Sequence, residues 1–249
     1  MHAASAATPS SSSRSRKVEF LASKGRRGRK AAIKNASRPN DALKGAFFLA
    51  LIAALALTVW FNYVSAVQPQ NKLAVQDSSI ALSLAFPLIA INILLSKGMD
   101  PIRVISELGL SRAKLTYRNI GIGLLMLVVI LFLEVAISGF SSYTGIPLPT
   151  NTSSAFQGAP LYVLAFTVLA APLDEEILFR GFLVKRFGVI LSAILFMVLH
   201  SGYASISEAL GALVFGLVAG YVFRKTESLY PSVICHVLVN LIGILALVQ

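Results

Sequence analysis

Residues 160–171 carry no charge at all, and Asp174-Glu175-Glu176-Ile177-Leu178-Phe179-Arg180 follows almost at once, bringing three carboxylates and an arginine within seven residues. A stretch this apolar belongs in lipid, where an ionisable side chain costs at least about 2.5–3.5 kcal/mol to insert and faces a bundle interior. On a helix Glu176 and Arg180 are i and i+4 and share a face, whereas Glu175 points about 100° away. One carboxylate can pair with the arginine while the other stays free. A fold that accepts this run has to be helical and has to enclose a polar interior at membrane depth.

The rest of the chain agrees with that demand. Hydrophobic residues make up 56% of it and charged residues 13%, against about 25% charged in a soluble globule. Apolar runs at about 45–67, 79–96, 119–140, 160–184, 188–203, 206–223 and 229–248 predict an all-α, polytopic transmembrane bundle of about seven spans. Trp60 and Tyr63 suit an aromatic belt at the end of the first. Pro101 opens what reads as a short amphipathic interfacial helix in the loop 97–118. Glu134, a lone acid near the outer end of the third span, is expected to reach the interface. Basic residues in the loop 97–118, Lys185-Arg186 and Arg224-Lys225 place those loops on the cytoplasmic side with the N-terminus, leaving the C-terminus outside. Asn151-Thr152-Ser153 matches a glycosylation acceptor, which reads as coincidence.

The net charge of +11 is not a nucleic-acid signal. Residues 1–44 hold 11 of the 22 lysines and arginines against only Glu19 and Asp41, a net +9. No aromatic residues are interleaved for base stacking. This segment reads as a disordered basic tail: either a cytoplasmic tail that touches anionic lipid or, from its serines and scarcity of acids, an organelle transit peptide. The setting is accordingly a prokaryotic plasma membrane, with a plastid membrane as the alternative. Cys235 is the sole cysteine, which rules out an intrachain disulfide and a cysteine-based zinc site.

Two further polar clusters fall inside apolar runs. Phe196 and His200 lie late in the fifth span; His236 and Asn240, i and i+4, share a face of the last. At about 1.5 Å per residue, Glu175 lies roughly 15 Å above Lys185, His236 roughly 10 Å above Leu229 and His200 roughly 16 Å above Val189. The three groups share a depth near the bilayer centre. Carboxylate, imidazole and guanidinium converging in a water-poor space suit hydrolysis, with a carboxylate as base on water and hydrogen-bond donors for the oxyanion.

These residues resemble a known family. Glu175-Glu176 with Arg180 looks like its EExxxR motif, Phe196 with His200 like FxxxH, and His236 with Asn240 like HxxxN. The family is the CPBP intramembrane proteases, comprising CAAX prenyl endopeptidases and the bacteriocin-processing or self-immunity (Abi) proteins. The resemblance covers residues 158–249 as a catalytic membrane domain with a CAAX-protease-like core, and leaves 45–157 as additional N-terminal transmembrane helices. It implies that Glu175 activates the attacking water with help from His200, that Arg180 pairs with Glu176 to hold the acidic helix, and that His236 and Asn240 bind the carbonyl oxygen. It implies a peptide or prenylated protein as substrate.

Metal dependence stays open. Two histidines and two glutamates can bind zinc through N and O ligands, with Glu175, His200 and His236 as the set. There is no HExxH, and a metal-free glutamate and histidine mechanism uses the same residues. Two other functions would use such a cavity: a non-enzymatic immunity or scaffold protein, and a proton- or metal-coupled transporter. No internal repeat of the kind transporters use is evident.

Overall fold

Every regular element among the described residues is helical. The computed structural model describes residues 41–67, 72–148, 156–201 and 205–248. The basic tail up to residue 40 and Asn151-Thr152-Ser153 lie outside them.

In chain order the helices are α1 (Asp41–Val67), α2 (Lys72–Leu95), α3 (Pro101–Glu107), α4 (Tyr117–Thr144), α5 (residues 161–184), α6 (Lys185–His200), α7 (Ile206–Thr226) and α8 (Tyr230–Val248). Among the described residues, four stretches are long and apolar enough to cross a membrane: Leu73–Leu95, Tyr117–Thr144, Leu161–His200 and Ile206–Thr226. Leu49–Phe61 and Tyr230–Ala246 are shorter apolar helices. The 40-residue stretch is not one straight helix, because Gly188, in the first turn of α6, kinks it with φ 84° and ψ 173°. A side chain would be strained there, and glycine is not. α2 begins at Lys72 rather than at 79. The turn it gains contains Gln76, Asp77 and Ser78, whose polarity conceals a helical segment from an apolar-run reading.

The outward faces are apolar, as lipid requires: on α4, Leu125, Val128, Phe132 and Val135 are all exposed. Trp60 and Tyr63 are exposed too, with ring centroids 6.3 Å apart. At the centre lies the second half of α5, where all eight residues from Ile177 to Val184 are buried. A helix apolar on every side belongs in the middle of a bundle. It packs against α2, α6 and α7.

Contacts between helices are made close by small residues, the usual means of association where lipid offers no hydrophobic drive. A Cβ on Gly216 would sit 3.0 Å from Ala193 of α6, and one on Gly220 2.9 Å from Val189. Gly123 of α4 lies against the Pro231 carbonyl of α8, and Gly181 against the Leu108 carbonyl. On another flank α2 meets α5 through side chains, including the Tyr162 hydroxyl, which donates to Asp77 Oδ1 at 2.6 Å.

α3 is the short helix anticipated after Pro101. Asp100 caps it by accepting from the Arg103 N–H at 3.0 Å, and Pro101 occupies the first turn, where its missing N–H costs nothing. Ile102 and Ile105 are exposed while Val104 is buried, which suits the interface plane. The loops read as cytoplasmic meet at one end of the bundle: Lys185 pairs with Glu107 at 3.6 Å, Lys114 with Glu227 at 3.7 Å, and the Leu229 N–H donates to the Gly109 carbonyl.

Candidate active site

The acidic run sits between two distortions of α5. Residues Phe166–Ala170 and Ile177–Val184 are π-helical, with bonds reaching five residues back instead of four. Such segments are rare and recur at functional sites. In the first, the Ala171 N–H donates to the Phe166 carbonyl. The next donor in that register would be residue 172, which is proline and has no N–H. The Thr167 carbonyl is therefore left for another partner, and Asn240 of α8 donates its amide nitrogen to it at 2.9 Å.

Glu176 and Arg180 pair as their spacing predicts, with Arg180 Nη1 2.8 Å from Glu176 Oε1. The two side chains are 0% and 1% exposed. The contact is an ion pair off the hydrogen-bonding direction of the guanidinium, whose nitrogens complete no hydrogen bond among the described residues. Arg180 rests instead on aromatic faces: its Cζ lies 4.3 Å from the Phe196 ring centroid and 4.9 Å from that of Phe215. Glu176 Oε1 also receives His236, whose Nδ1 is 3.1 Å away. The carboxylate accepts, so Nδ1 carries the proton and Nε2 is turned the other way. It lies 3.8 Å from Glu175 Oε2.

His200 is held by its own helix end. Its Nδ1 is 2.9 Å from the Phe196 carbonyl; a carbonyl only accepts, so Nδ1 donates. Phe196 is the common neighbour of the site, with ring centroids 4.4 Å from His200, 5.9 Å from His236 and 5.0 Å from Phe179. Phe215 meets His236 with ring centroids 4.7 Å apart and the planes tilted by 53°.

Glu175, His200, His236 and Asn240 line one cavity of about 530 Å³ that is open on one side. Glu176 and Arg180 are not among its lining residues; Phe196 and Phe215, which touch both the guanidinium and an imidazole, are. The six candidate residues thus divide into four at the cavity and two behind it. Glu134 departs from expectation. Its half-buried side chain turns inward and lines the same cavity together with Glu208, because α4 packs against α7 at Gly211, where a Cβ would be 3.9 Å from Glu134 Oε1.

The donors for a metal are less well gathered. Among the described residues no three His, Cys, Asp or Glu groups come together as a ligand set. The Nδ1 atoms of His200 and His236 both serve protein acceptors.

Sequence reading overlooked three contributors. Phe215 lies in an apolar helix and reads as packing. Thr167 acts through a main-chain carbonyl, which no side-chain pattern reports. The polar face of α2 carries no spacing that would link it to residues a hundred positions away.

Residues 157–242 match the family described as type II CAAX prenyl endopeptidase, Rce1-like. No curated protein and no solved structure matches the chain.

Proposed function

We propose that this integral membrane protein is an endopeptidase, a reading supported by the match of residues 157–242 to the Rce1-like type II CAAX prenyl endopeptidase family, which is consistent with a CPBP intramembrane protease. It hydrolyses peptide bonds of membrane-associated chains, prenylated CAAX-type chains among them, with a water activated by Glu175. The observation that carries this reading is the division of the site: Glu175, His200 and His236 line a shared cavity, while Glu176 and Arg180 brace it from behind.

Each group has a role its surroundings support. Glu175, free of the arginine pair, takes a proton from water as that oxygen attacks the scissile carbonyl carbon. General-base action of this kind contributes about 10²–10⁴-fold. The ring nitrogen of His200 that is not engaged with the Phe196 carbonyl helps orient the water. Negative charge then gathers on the carbonyl oxygen. His236, once it carries a proton on Nε2 as well as on Nδ1, meets it through Nε2–H while Glu176 accepts from Nδ1–H. The second amide N–H of Asn240 adds a donor. As the C–N bond breaks, Glu175 returns its proton to the departing amine. Removing a donor to an oxyanion typically costs about 10²–10³-fold in turnover.

The test is cleavage of a panel of farnesylated CAAX peptides by the protein reconstituted in liposomes, with products read by mass spectrometry. Wild-type protein is expected to cut at a single bond and the Glu175→Gln protein not to cut. A panel left intact by the wild-type protein would sink the proposal.

A further inference from the structure

The wall of the cavity that faces the acidic helix comes from α2, which lies outside the matched segment. Gln76, Ser79 and Ser83 of this helix all line it, and at i, i+3 and i+7 they share one face. Polar side chains on a membrane helix usually satisfy themselves on their own backbone. Here Thr58 donates to the Ala54 carbonyl, Ser78 to Ala74 and Thr167 to Val163. Ser83 does not follow them. The residue is 7% exposed, and the Asp174 carboxyl is close enough to its hydroxyl to act on it as a hydrogen-bonding neighbour, yet among the described residues the hydroxyl completes no hydrogen bond of good geometry.

The main chain at the same residue is also short of a donor. Pro87 stands inside α2, four residues on, and has no N–H for the Ser83 carbonyl. A hydroxyl and a carbonyl at one buried residue are both without their ordinary helical partners, and the residue lines the proposed active-site cavity.

We infer that the Gln76–Ser79–Ser83 face of α2 is the docking strip for the main chain of an extended peptide substrate. This rests on the endopeptidase reading and names how that substrate is held. A peptide must leave helical form to be cut, and in a water-poor site its N–H and C=O groups then need partners. Serine and glutamine side chains both donate and accept, so they satisfy main-chain groups without selecting side chains. From residue 76 to residue 83 the strip rises about 10 Å. At about 3.3 Å per residue, that length serves roughly three residues of extended peptide.

The first test is kinetic, on whichever farnesylated CAAX peptide the wild-type protein cleaves. Ser79→Ala and Ser83→Ala should each raise KM about fivefold, the worth of one hydrogen bond, with kcat within about twofold. Pro87→Ala gives the Ser83 carbonyl its N–H back and should raise KM while thermal stability holds or improves. A purely structural proline would alter stability alone. The second test needs no turnover: Ser83→Cys in a Cys235→Ala, Glu175→Gln chain is labelled with a maleimide, with and without the same peptide panel. Slower labelling with peptide supports the strip even if the wild-type protein cleaves nothing, in which case only the endopeptidase reading falls. Labelling unaffected by every peptide, or unchanged KM in both serine variants, overturns it.

Discussion

Asn240 donates to the carbonyl of Thr167 across 73 residues of sequence, at 2.9 Å. The bond exists because Pro172 cannot fill that carbonyl in the π-helical register of α5. It ties the helix bearing His236 to the helix bearing Glu175. Asn240→Leu should lower turnover at least tenfold and stability by about 1 kcal/mol, the usual net worth of such a bond. Turnover and thermal unfolding in detergent measure the two effects separately.

Glu175 stands apart from the arginine pair, so it can be altered without dismantling the core. Glu175→Gln keeps the shape and removes the base. We expect the unfolding temperature to stay within a few degrees and turnover to fall about 10²–10⁴-fold. A Glu175→Gln protein with near wild-type turnover would remove Glu175 from the chemistry.

Arg180 is the opposite case. Taking one partner from a fully buried ion pair leaves the other charge uncompensated, which costs about 3–5 kcal/mol. Arg180→Met should therefore cut the yield of folded protein and lower its unfolding temperature sharply. The double variant Arg180→Met, Glu176→Leu should recover much of the loss. An Arg180→Met protein of wild-type stability would mean the pair is not what holds α5.

Prolonged dialysis against a strong chelator should leave most of the turnover intact, since among the described residues no three ligand side chains are gathered. Loss of activity that zinc alone restores would show that the site rearranges around an ion.

Gly216→Val places branched carbons against the Ala193 backbone, where even a Cβ is 3.0 Å away. Overpacking of this sort costs about 1–3 kcal/mol, read as a lower unfolding temperature. Gly139→Ala, with nothing within 4 Å of its Cβ, is the silent control.

Spacing made much of the site legible. Glu176 with Arg180 and Phe196 with His200 are neighbours because a helix turn makes them so, and shared depth brought His236 to the same place. What spacing could not report was any interaction made by the main chain or by a helix out of α register. The Thr167 carbonyl is of that kind, and so is the kink at Gly188, where an apolar run shows no change in polarity. Glu134 was misjudged because a single span does not say what its neighbour looks like; α7 offers Gly211 there and lets the carboxylate turn inward. The polar face of α2 was hidden by its own composition, which shortened the apolar run that would have announced the helix.

The seam between α6 and α7 sets Gly216 almost backbone to backbone on Ala193 and Gly220 against the stiff, β-branched side chain of Val189. Such a joint has few rotamers to rearrange and resists parting by degrees. Where α2 meets α5 the contact runs instead through longer and more pliant groups such as Tyr162 and Asp77, which have rotamers with which to adjust.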